Sequence, residues 1–154
     1  MPMQMNGEVV LPAPRGRVWA ALNDPAMLKD CVPGCETFER TGDNTFQAVV
    51  LAKIGPVKAR FKGSIELADL DPPNGYRIVG QGEGGVAGFA KGGARVALSE
   101  AEDGTRLAFE VEGQIGGKLA QLGQRLVDGV AKSLADQFFK TFAERLSQPE
   151  GATS

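Results

Sequence analysis

The residues most suggestive of chemistry are the glycines of GQGEGGVAGFAKGG, which occupies positions 80–93 and contains seven glycines. Its first part, Gly80-x-Gly82-x-x-Gly85, has the spacing of a loop that binds dinucleotide phosphates. Such a loop needs a helix beginning at its end, inside a parallel strand–helix–strand unit. Here Gly85 is followed by VAGFAKGG and then by another strand-like segment. We therefore expect the glycines to bend two strands and form a loop. We further favour the interpretation that they leave side-chain-free space, and hence a cavity mouth, beneath Phe89.

Histidine is absent from all 154 residues. This excludes Ser-His-Asp and Cys-His nucleophilic systems and zinc sites that need an imidazole. Cys31 and Cys35 are too few to hold a structural zinc ion, and three residues separate them where a redox pair usually has two. A disulfide is not expected in a reducing cytoplasm. We interpret both cysteines as small apolar residues flanking a Pro-Gly turn, and we predict no metal site and no cofactor.

The carboxylates include no pair placed for general acid–base catalysis. Glu110 and Glu112 fall on the polar face of an alternating strand, and only Glu83, inside the glycine-rich segment, is a candidate for a cavity mouth. The sequence therefore predicts a protein that is not an enzyme. The alternative is an enzyme that acts on an aromatic or polyketide-like substrate through Tyr76 or Glu83 and ordered water.

Three cations, Lys58, Arg60 and Lys62, alternate along one strand-like segment and form a basic stripe on its polar face. Such a stripe is either a solvated outer face or a docking surface for an acidic partner or anionic lipid headgroups. The net charge of the chain is −2, without the strongly basic balance typical of nucleic-acid binders. We therefore expect no nucleic-acid partner.

The elements that position these residues follow from the hydrophobic periodicity. Residues 3–11 indicate a first strand, and 15–22 and 26–32 indicate two short helices separated by Asn-Asp-Pro. From residue 35 to 115 the period changes to two, which is typical of an antiparallel meander of half-polar strands. Further strands are expected at residues 37–40, 45–54, 57–67, 76–82, 94–100 and 105–115.

The C-terminal part returns to a helical period. Apolar residues recur at three- and four-residue steps from Leu119 to Leu146, which predicts one continuous helix over residues 118–146. A sheet that wraps around this helix gives an α+β architecture. We expect one domain over residues 1–147 and a polar tail at 148–154.

A strongly curved sheet that grips a helix often does not close fully, and pockets form in such gaps. Glycines and alanines in the predicted strands reduce the volume that would fill the interior. We therefore predict an apolar cavity between sheet and helix, whereas the alternative is that the same side chains simply form the core. The predicted lining consists of Phe46, Phe61, Ile65, Ile78, Phe89, Val96, Leu98, Phe109, Val111, Leu122, Leu126 and Val130.

Five blocks of sequence together resemble the G-subunit family of carbon monoxide dehydrogenase. They are PRGRVWAALNDP, CVPGCE, GPVKARFKG, GGVAGFAKGGARV and GGKLAQLGQRLVDGVAKSLADQFF, in this order, and the resemblance covers about residues 3–146. The pattern VWxxLxDP is shared across the START-like, helix-grip (SRPBCC) superfamily that includes this family. The later blocks are therefore the specific ones.

The resemblance implies a helix-grip fold, in which a curved seven-stranded antiparallel sheet surrounds the long C-terminal helix, with two short helices after the first strand and a hydrophobic cavity. It also implies an accessory protein of a carbon monoxide dehydrogenase-type molybdenum hydroxylase, aiding that enzyme's membrane association or electron transfer. The expected ligand is a quinone or a lipid. The alternative is an adaptor for the same enzyme without a small-molecule ligand.

The first residues, MPMQMNGEVVLP, lack the basic start and apolar stretch of a signal peptide. No apolar run approaches the roughly 18 residues of a membrane span. The expected location is the cytoplasm, and the resemblance adds peripheral contact at the inner face of the cell membrane as a further expectation.

Overall fold

The computed structural model describes residues 1–147. Along the chain its elements are β1 (Pro2–Leu11), α1 (Arg15–Leu22), α2 (Pro25–Cys31), β2 (Cys35–Arg40), β3 (Thr45–Ile54), β4 (Val57–Asp71), β5 (Gly75–Glu83), β6 (Phe89–Ala101), β7 (Gly104–Gly116), α3 (Lys118–Gln121) and α4 (Gln124–Leu146). This order confirms the α+β class and the two short helices after the first strand. The polar tail predicted at 148–154 lies outside the described residues.

The seven strands form one antiparallel sheet in the order β1-β7-β6-β5-β4-β3-β2. Strands β2 to β7 are a meander, and β1 pairs with β7 from Pro2 opposite Gln114 to Leu11 opposite Thr105. The sheet does not close on itself, so β1 and β2 are its free edges. The predicted seven-stranded antiparallel sheet is confirmed.

The glycine-rich segment is strand on both sides of a short 3-10 turn, Gly85–Ala87. Gly80 and Gly82 lie inside β5, and β6 begins at Phe89. No α-helix begins after Gly85, so the geometry of a dinucleotide-binding loop is absent from this segment. Gly80, Gly82, Gly92 and Gly93 belong to the sheet, and Gly84, Gly85 and Gly88 lie in the turn between β5 and β6.

The C-terminal helix is shorter than the sequence predicted. The apolar stripe predicted one helix over residues 118–146, but the structure has a single turn, α3, and then α4, which begins only at Gln124. Gly123 separates them with φ 90° and ψ 155°, a backbone conformation that essentially only glycine adopts. Its carbonyl oxygen accepts a hydrogen bond from the Val127 N–H at 3.1 Å, which starts α4.

The core lies under the C-terminal half of α4. Phe142 and Leu146 are buried there, and the Phe138 and Phe142 rings stack with centroids 5.5 Å apart. Helices α1 and α2 cover the same end of the sheet, and the side chain of Asp24 begins α2 by accepting a hydrogen bond from the Ala26 N–H at 3.0 Å. The buried cluster is Leu11, Ala13, Val18, Leu22, Cys31, Phe46, Leu67, Tyr76, Val96, Leu98, Leu107, Phe142 and Leu146.

Candidate ligand-binding site

The inner face of the sheet is the face that carries the core residues, and beyond the core it bears an open apolar pocket of about 430 Å³. We call it the inner-face pocket. Strands β3 to β7 supply most of its lining, and Val32 after α2 and Phe38 of β2 complete one side. Its volume lies in the range of sites that bind small molecules, and a mostly apolar lining is typical of them.

Five glycines from four adjacent strands form the base of this pocket: Gly63, Gly80, Gly82, Gly92 and Gly113. We call them the glycine floor. Gly63 pairs with Gly82, and Gly80, Gly92 and Gly113 stand side by side across β5, β6 and β7. Because alternate residues of a strand share a face, all five present bare backbone to the inner side. The base of the pocket is therefore peptide backbone without side chains.

The position of α4 leaves this part of the sheet uncovered. The backbone of the helix lies closest to β1 and α2, and its side chains reach β7 where Phe139 stacks on Phe109. At its N-terminal end the Leu126 side chain reaches the turn between β3 and β4, where a Cβ at Gly55 would lie 2.9 Å from Leu126 Cδ2. No residue of α3 or α4 lines the inner-face pocket, so the strands and the segment after α2 form it, and not the predicted space between sheet and helix.

Four of the twelve predicted lining residues line the inner-face pocket: Phe61, Ile65, Ile78 and Val111. Val96 and Leu98 lie on the same face but nearer the other end of β6, and Phe46 lies opposite Ile65, in the row of Gly80; all three are buried in the core. The period-two pattern therefore identified the correct face. Which end of a strand the helices cover is a tertiary property that the pattern does not contain.

The other predicted residues lie around the pocket or away from it. Phe89 is on the outer face, against Gly116, while its neighbour Ala90 lines the pocket. Phe109 stacks on Phe139 of α4 at 5.3 Å, between β1 and the helix. Leu126 is 37% exposed. Leu122, between the two helices, and Val130, on α4, are half-buried.

Further lining residues were not predicted: Met3, Val32, Phe38, Ala48, Val50, Ala90, Ala94 and Ile115. Several continue an alternation that was already visible, as Ala48 and Val50 do beside Phe46. Met3 was harder to find, because only the pairing of β1 with β7 brings the N-terminal strand next to the glycine floor.

The two residues considered for catalysis are not in the pocket. Tyr76 is buried in the core, its ring edge-on to Trp19 with centroids 5.3 Å apart, and burial raises the pKa of its phenol well above the usual value. Glu83 is exposed at the end of β5, opposite Lys62 of β4. Neither side chain is placed to exchange a proton with a molecule on the glycine floor.

Both cysteines are free thiols, Cys31 buried and Cys35 half-buried. Burial raises the pKa of the Cys31 thiol to about 11, and burial also raises that of Cys35. Both are therefore neutral at physiological pH and poor nucleophiles. Within residues 1–147 no group of three His, Cys, Asp or Glu side chains is placed to bind a metal ion.

The basic stripe lies on the outer face of β4, directly behind the pocket-lining residues of the same strand. Lys58 and Lys62 are exposed, while the Arg60 guanidinium donates two hydrogen bonds to the Glu36 carboxylate at 2.6 and 2.9 Å. This ion pair lowers the pKa of Glu36. Arg60 therefore links β2 to β4, and the two lysines remain the more available cations.

A second depression, of about 860 Å³, lies on the outer face of the sheet. It is larger than the inner-face pocket, but its outward side chains are mostly polar or charged, including Gln47, Glu66, Gln81, Lys91 and Gln114. Exposed polar side chains are what the solvated face of a single sheet normally carries. The inner-face pocket is therefore the better candidate for a ligand site. Among the helices of residues 1–147, none is long and apolar enough to cross a membrane.

The seven-stranded antiparallel sheet and the long C-terminal helix define a START-like, helix-grip protein. A conserved protein from Geobacillus kaustophilus has a similar crystal structure, with a TM-score of 0.87, 32% identity and coverage of 94% of this chain and 95% of that one. The ZhuI aromatase/cyclase from Streptomyces sp. R1128 matches with a TM-score of 0.67 and 13% identity over 99% of this chain and 100% of its own. Ara h 8.0201 matches with a TM-score of 0.65 and 13% identity over 95% and 98%. The last two show the fold alone.

The family model for the G subunit of carbon monoxide dehydrogenase (CoxG) matches residues 7–147, and the chain belongs to this family. Among proteins with curated descriptions, none matches the sequence. Family and fold together indicate a protein of the hydrophobic-ligand-binding type that is associated with a carbon monoxide dehydrogenase.

Proposed function

We propose that this protein is a non-enzymatic accessory protein that binds a quinone or a lipid in the inner-face pocket. It serves a carbon monoxide dehydrogenase-type molybdenum hydroxylase and aids that enzyme's membrane association or electron transfer. The observation that carries the proposal is the apolar inner-face pocket in a member of the CoxG family. Burial of apolar ligand surface, at about 25 cal/mol per Å², would drive binding against the cost of ordering the ligand.

The placement of the reactive groups supports a carrier rather than an enzyme. Tyr76 is part of the core, Glu83 faces outward, and both thiols have raised pKa values. The inward side chains of the lining are aliphatic or aromatic, and its polar residues, Ser64, Gln81, Lys91, Glu112 and Gln114, occupy outward positions of their strands. Such a surface holds a molecule by contact and supplies no acid, base or nucleophile.

The basic stripe supports a docking surface that is separate from the ligand site. Phe61 and Ile65 of β4 line the pocket, while Lys58 and Lys62 project from the opposite face of the same strand. A partner on the stripe would leave the pocket accessible. Replacing Lys58 and Lys62 by Glu is expected to weaken the complex with the hydroxylase in pull-down, whereas the same change at exposed Lys29 and Lys140 is not.

The ligand proposal is tested on protein purified gently from its own host. Native mass spectrometry gives the mass of any bound molecule, and extraction identifies it. We expect a stoichiometric quinone or lipid. Protein that is empty, and stays empty after incubation with quinones and lipids, contradicts the carrier proposal and favours the adaptor.

A matched pair of variants locates the ligand. Phe61→Asp places a charge in the pocket, and Val79→Asp places one on the outer face of β5, where Val79 is already 42% exposed. We expect loss of the bound molecule in the first variant and retention in the second, with both folded by circular dichroism. Retention in both would show that the ligand binds elsewhere.

A further inference from the structure

Two residues of the glycine floor are not required to be glycine by the fold. A Cβ at Gly92 would overlap the Glu112 carbonyl oxygen, and one at Gly113 would lie 2.8 Å from the Lys91 carbonyl oxygen, so close strand packing excludes side chains there. At Gly80 the nearest atom would be 3.4 Å away, and at Gly82 it would be 3.8 Å away, which is ordinary contact. Neither Gly80 nor Gly82 has a positive φ. Alanine therefore fits the backbone and the space at both positions.

Glycine at these two positions makes the folded state less stable than alanine would, and the backbone conformation does not require it. Inside a strand, glycine loses more conformational freedom on folding than alanine does, and it contributes no side-chain packing. Local rules of this kind are typically broken where function requires it. Gly80 and Gly82 both line the inner-face pocket, so we infer that their function lies in the pocket.

The dimensions of the area that they leave bare follow from the strand geometry. Gly80 and Gly82 are two residues apart on one strand, which places them about 6.7 Å from each other. The row Gly80, Gly92 and Gly113 crosses three strands, a width of about 10 Å. Phe61 stands beside one end of this area, with its ring against Gly84. The bare area matches one or two fused six-membered rings lying on the peptide backbone.

We propose that Gly80 and Gly82 form a ring subsite in the inner-face pocket and make it select a planar conjugated ring, such as a quinone headgroup, over a flexible acyl chain. The inference rests on the proposed function, because it takes the inner-face pocket as the ligand site. A planar ring gains attraction only when its whole face lies within contact distance of the floor. A gap of 0.5–1 Å already forfeits about a quarter to a half of the dispersion attraction.

Two kinds of ligand should therefore respond differently to a change in the floor. A methyl group at residue 80 or 82 would lift a rigid ring off the rest of the floor. An acyl chain has a rotatable bond at every carbon, so it can pass beside one methyl group with little loss. The pocket as a whole keeps its apolar lining in both cases.

The test uses 2-methyl-1,4-naphthoquinone as the ring probe and palmitate as the chain probe, with isothermal titration calorimetry on the full chain. The variants are Gly80→Ala, Gly82→Ala and the combination of both. Gly129→Ala on α4 is the matched control, since a Cβ there meets no atom within 4 Å and lies outside the pocket. Urea denaturation checks that every variant is folded, and we expect the floor variants to be at least as stable as the parent.

We expect the combined variant to bind the naphthoquinone at least tenfold more weakly, with a change of less than threefold for palmitate and no change in Gly129→Ala. Equal weakening of both probes, or an unchanged naphthoquinone affinity, overturns the ring subsite. A parent protein that binds palmitate but not the naphthoquinone also overturns it, while the proposed carrier function stands. A parent that binds neither probe contradicts both.

Discussion

The two halves of α4 differ in how far their large apolar side chains are buried. In the C-terminal half, Phe142 and Leu146 are 0% and 2% exposed and pack into the core. In the N-terminal half, Val127 is buried, but Leu126 and Leu134 are 37% and 39% exposed. We call these the closed end and the open end. The same sheet thus carries a packed core and an open pocket.

The difference between the two ends is a gradient of side-chain volume along the strands. Inner-face residues become smaller from the closed end to the open end in three adjacent strands. They run Tyr76, Ile78, Gly80, Gly82 in β5; Leu98, Val96, Ala94, Gly92 in β6; and Phe109, Val111, Gly113 in β7. Because protein interiors are otherwise close-packed, removing volume at one end creates space there without loosening the other end.

The strongest test of this comparison removes volume from the closed end. Phe142→Ala is expected to lower the free energy of unfolding by about 3–5 kcal/mol, because it leaves a cavity in a packed site. Leu134→Ala, on the same helix but partly exposed, is expected to cost under about 1 kcal/mol. Urea denaturation measures both, and equal costs would mean that the closed end is not the better packed.

A second test concerns the buried polar contact of the closed end. The Thr105 hydroxyl is fully buried and donates a hydrogen bond to the Ala13 carbonyl oxygen at 2.7 Å. Thr105→Val keeps the shape but removes the donor, so we expect a loss of about 1–3 kcal/mol in the free energy of unfolding. The exposed control Thr41→Val is expected to change stability by no more than about 0.5 kcal/mol. A neutral Thr105→Val would show that this bond does not hold the chain after β1 in place.

At the open end, Gly123 and Gly129 both have room for a side chain, but only Gly123 has a positive φ. Substituting each by alanine therefore distinguishes the effect of backbone strain from the effect of packing. A Cβ meets no atom within 4 Å at Gly123 or at Gly129. Gly123→Ala is expected to cost at least about 1 kcal/mol, because φ 90° is unfavourable for alanine. Gly129→Ala, inside α4, is expected to stabilise by about 0.5–1 kcal/mol. Thermal denaturation measures both variants. A change in melting temperature of the same sign in both would argue against the break between α3 and α4.

The smallest expected effect lies outside the core at either end, in the ion pair between Arg60 and Glu36. The paired guanidinium lowers the pKa of Glu36, so the stabilising contribution is present above the ordinary glutamate pKa and is lost as pH falls through the lowered value. Arg60→Gln is expected to raise the Glu36 pKa toward its ordinary range in a carbon-13 NMR titration. Lys58→Gln on the same strand face is the control. An unchanged pKa in Arg60→Gln would show that the pair does not persist in solution.

The sequence allowed the sheet to be predicted well because its signals are local. Alternation and turn residues placed all seven strands, and the family blocks predicted their arrangement around the helix. The break at Gly123 was missed because the apolar stripe continues from Leu119 and Leu122 into α4, and one glycine inside such a stripe is usually tolerated.

The lining of the site was harder to predict, for a different reason. Strand period gave the face correctly for Phe46, Phe61 and Val96 alike, but it does not specify which end of that face α1, α2 and α4 cover. That choice depends on contacts between residues far apart in sequence. The decrease in residue size toward Gly80, Gly82 and Gly92 was the available signal, and it becomes interpretable only when the strands are aligned side by side.

The free edges of the open sheet have a consequence for self-association. An unpaired edge strand can template pairing with another molecule, and proteins prevent this with short, charged or irregular edges. Strand β2 has only six residues, carries Glu36, Glu39 and Arg40, and shifts register between Cys35 and Thr37. Strand β1 has α4 packed beside it. Both edges of the open sheet therefore carry features that oppose edge-to-edge aggregation. An incompletely closed sheet need not make the chain insoluble.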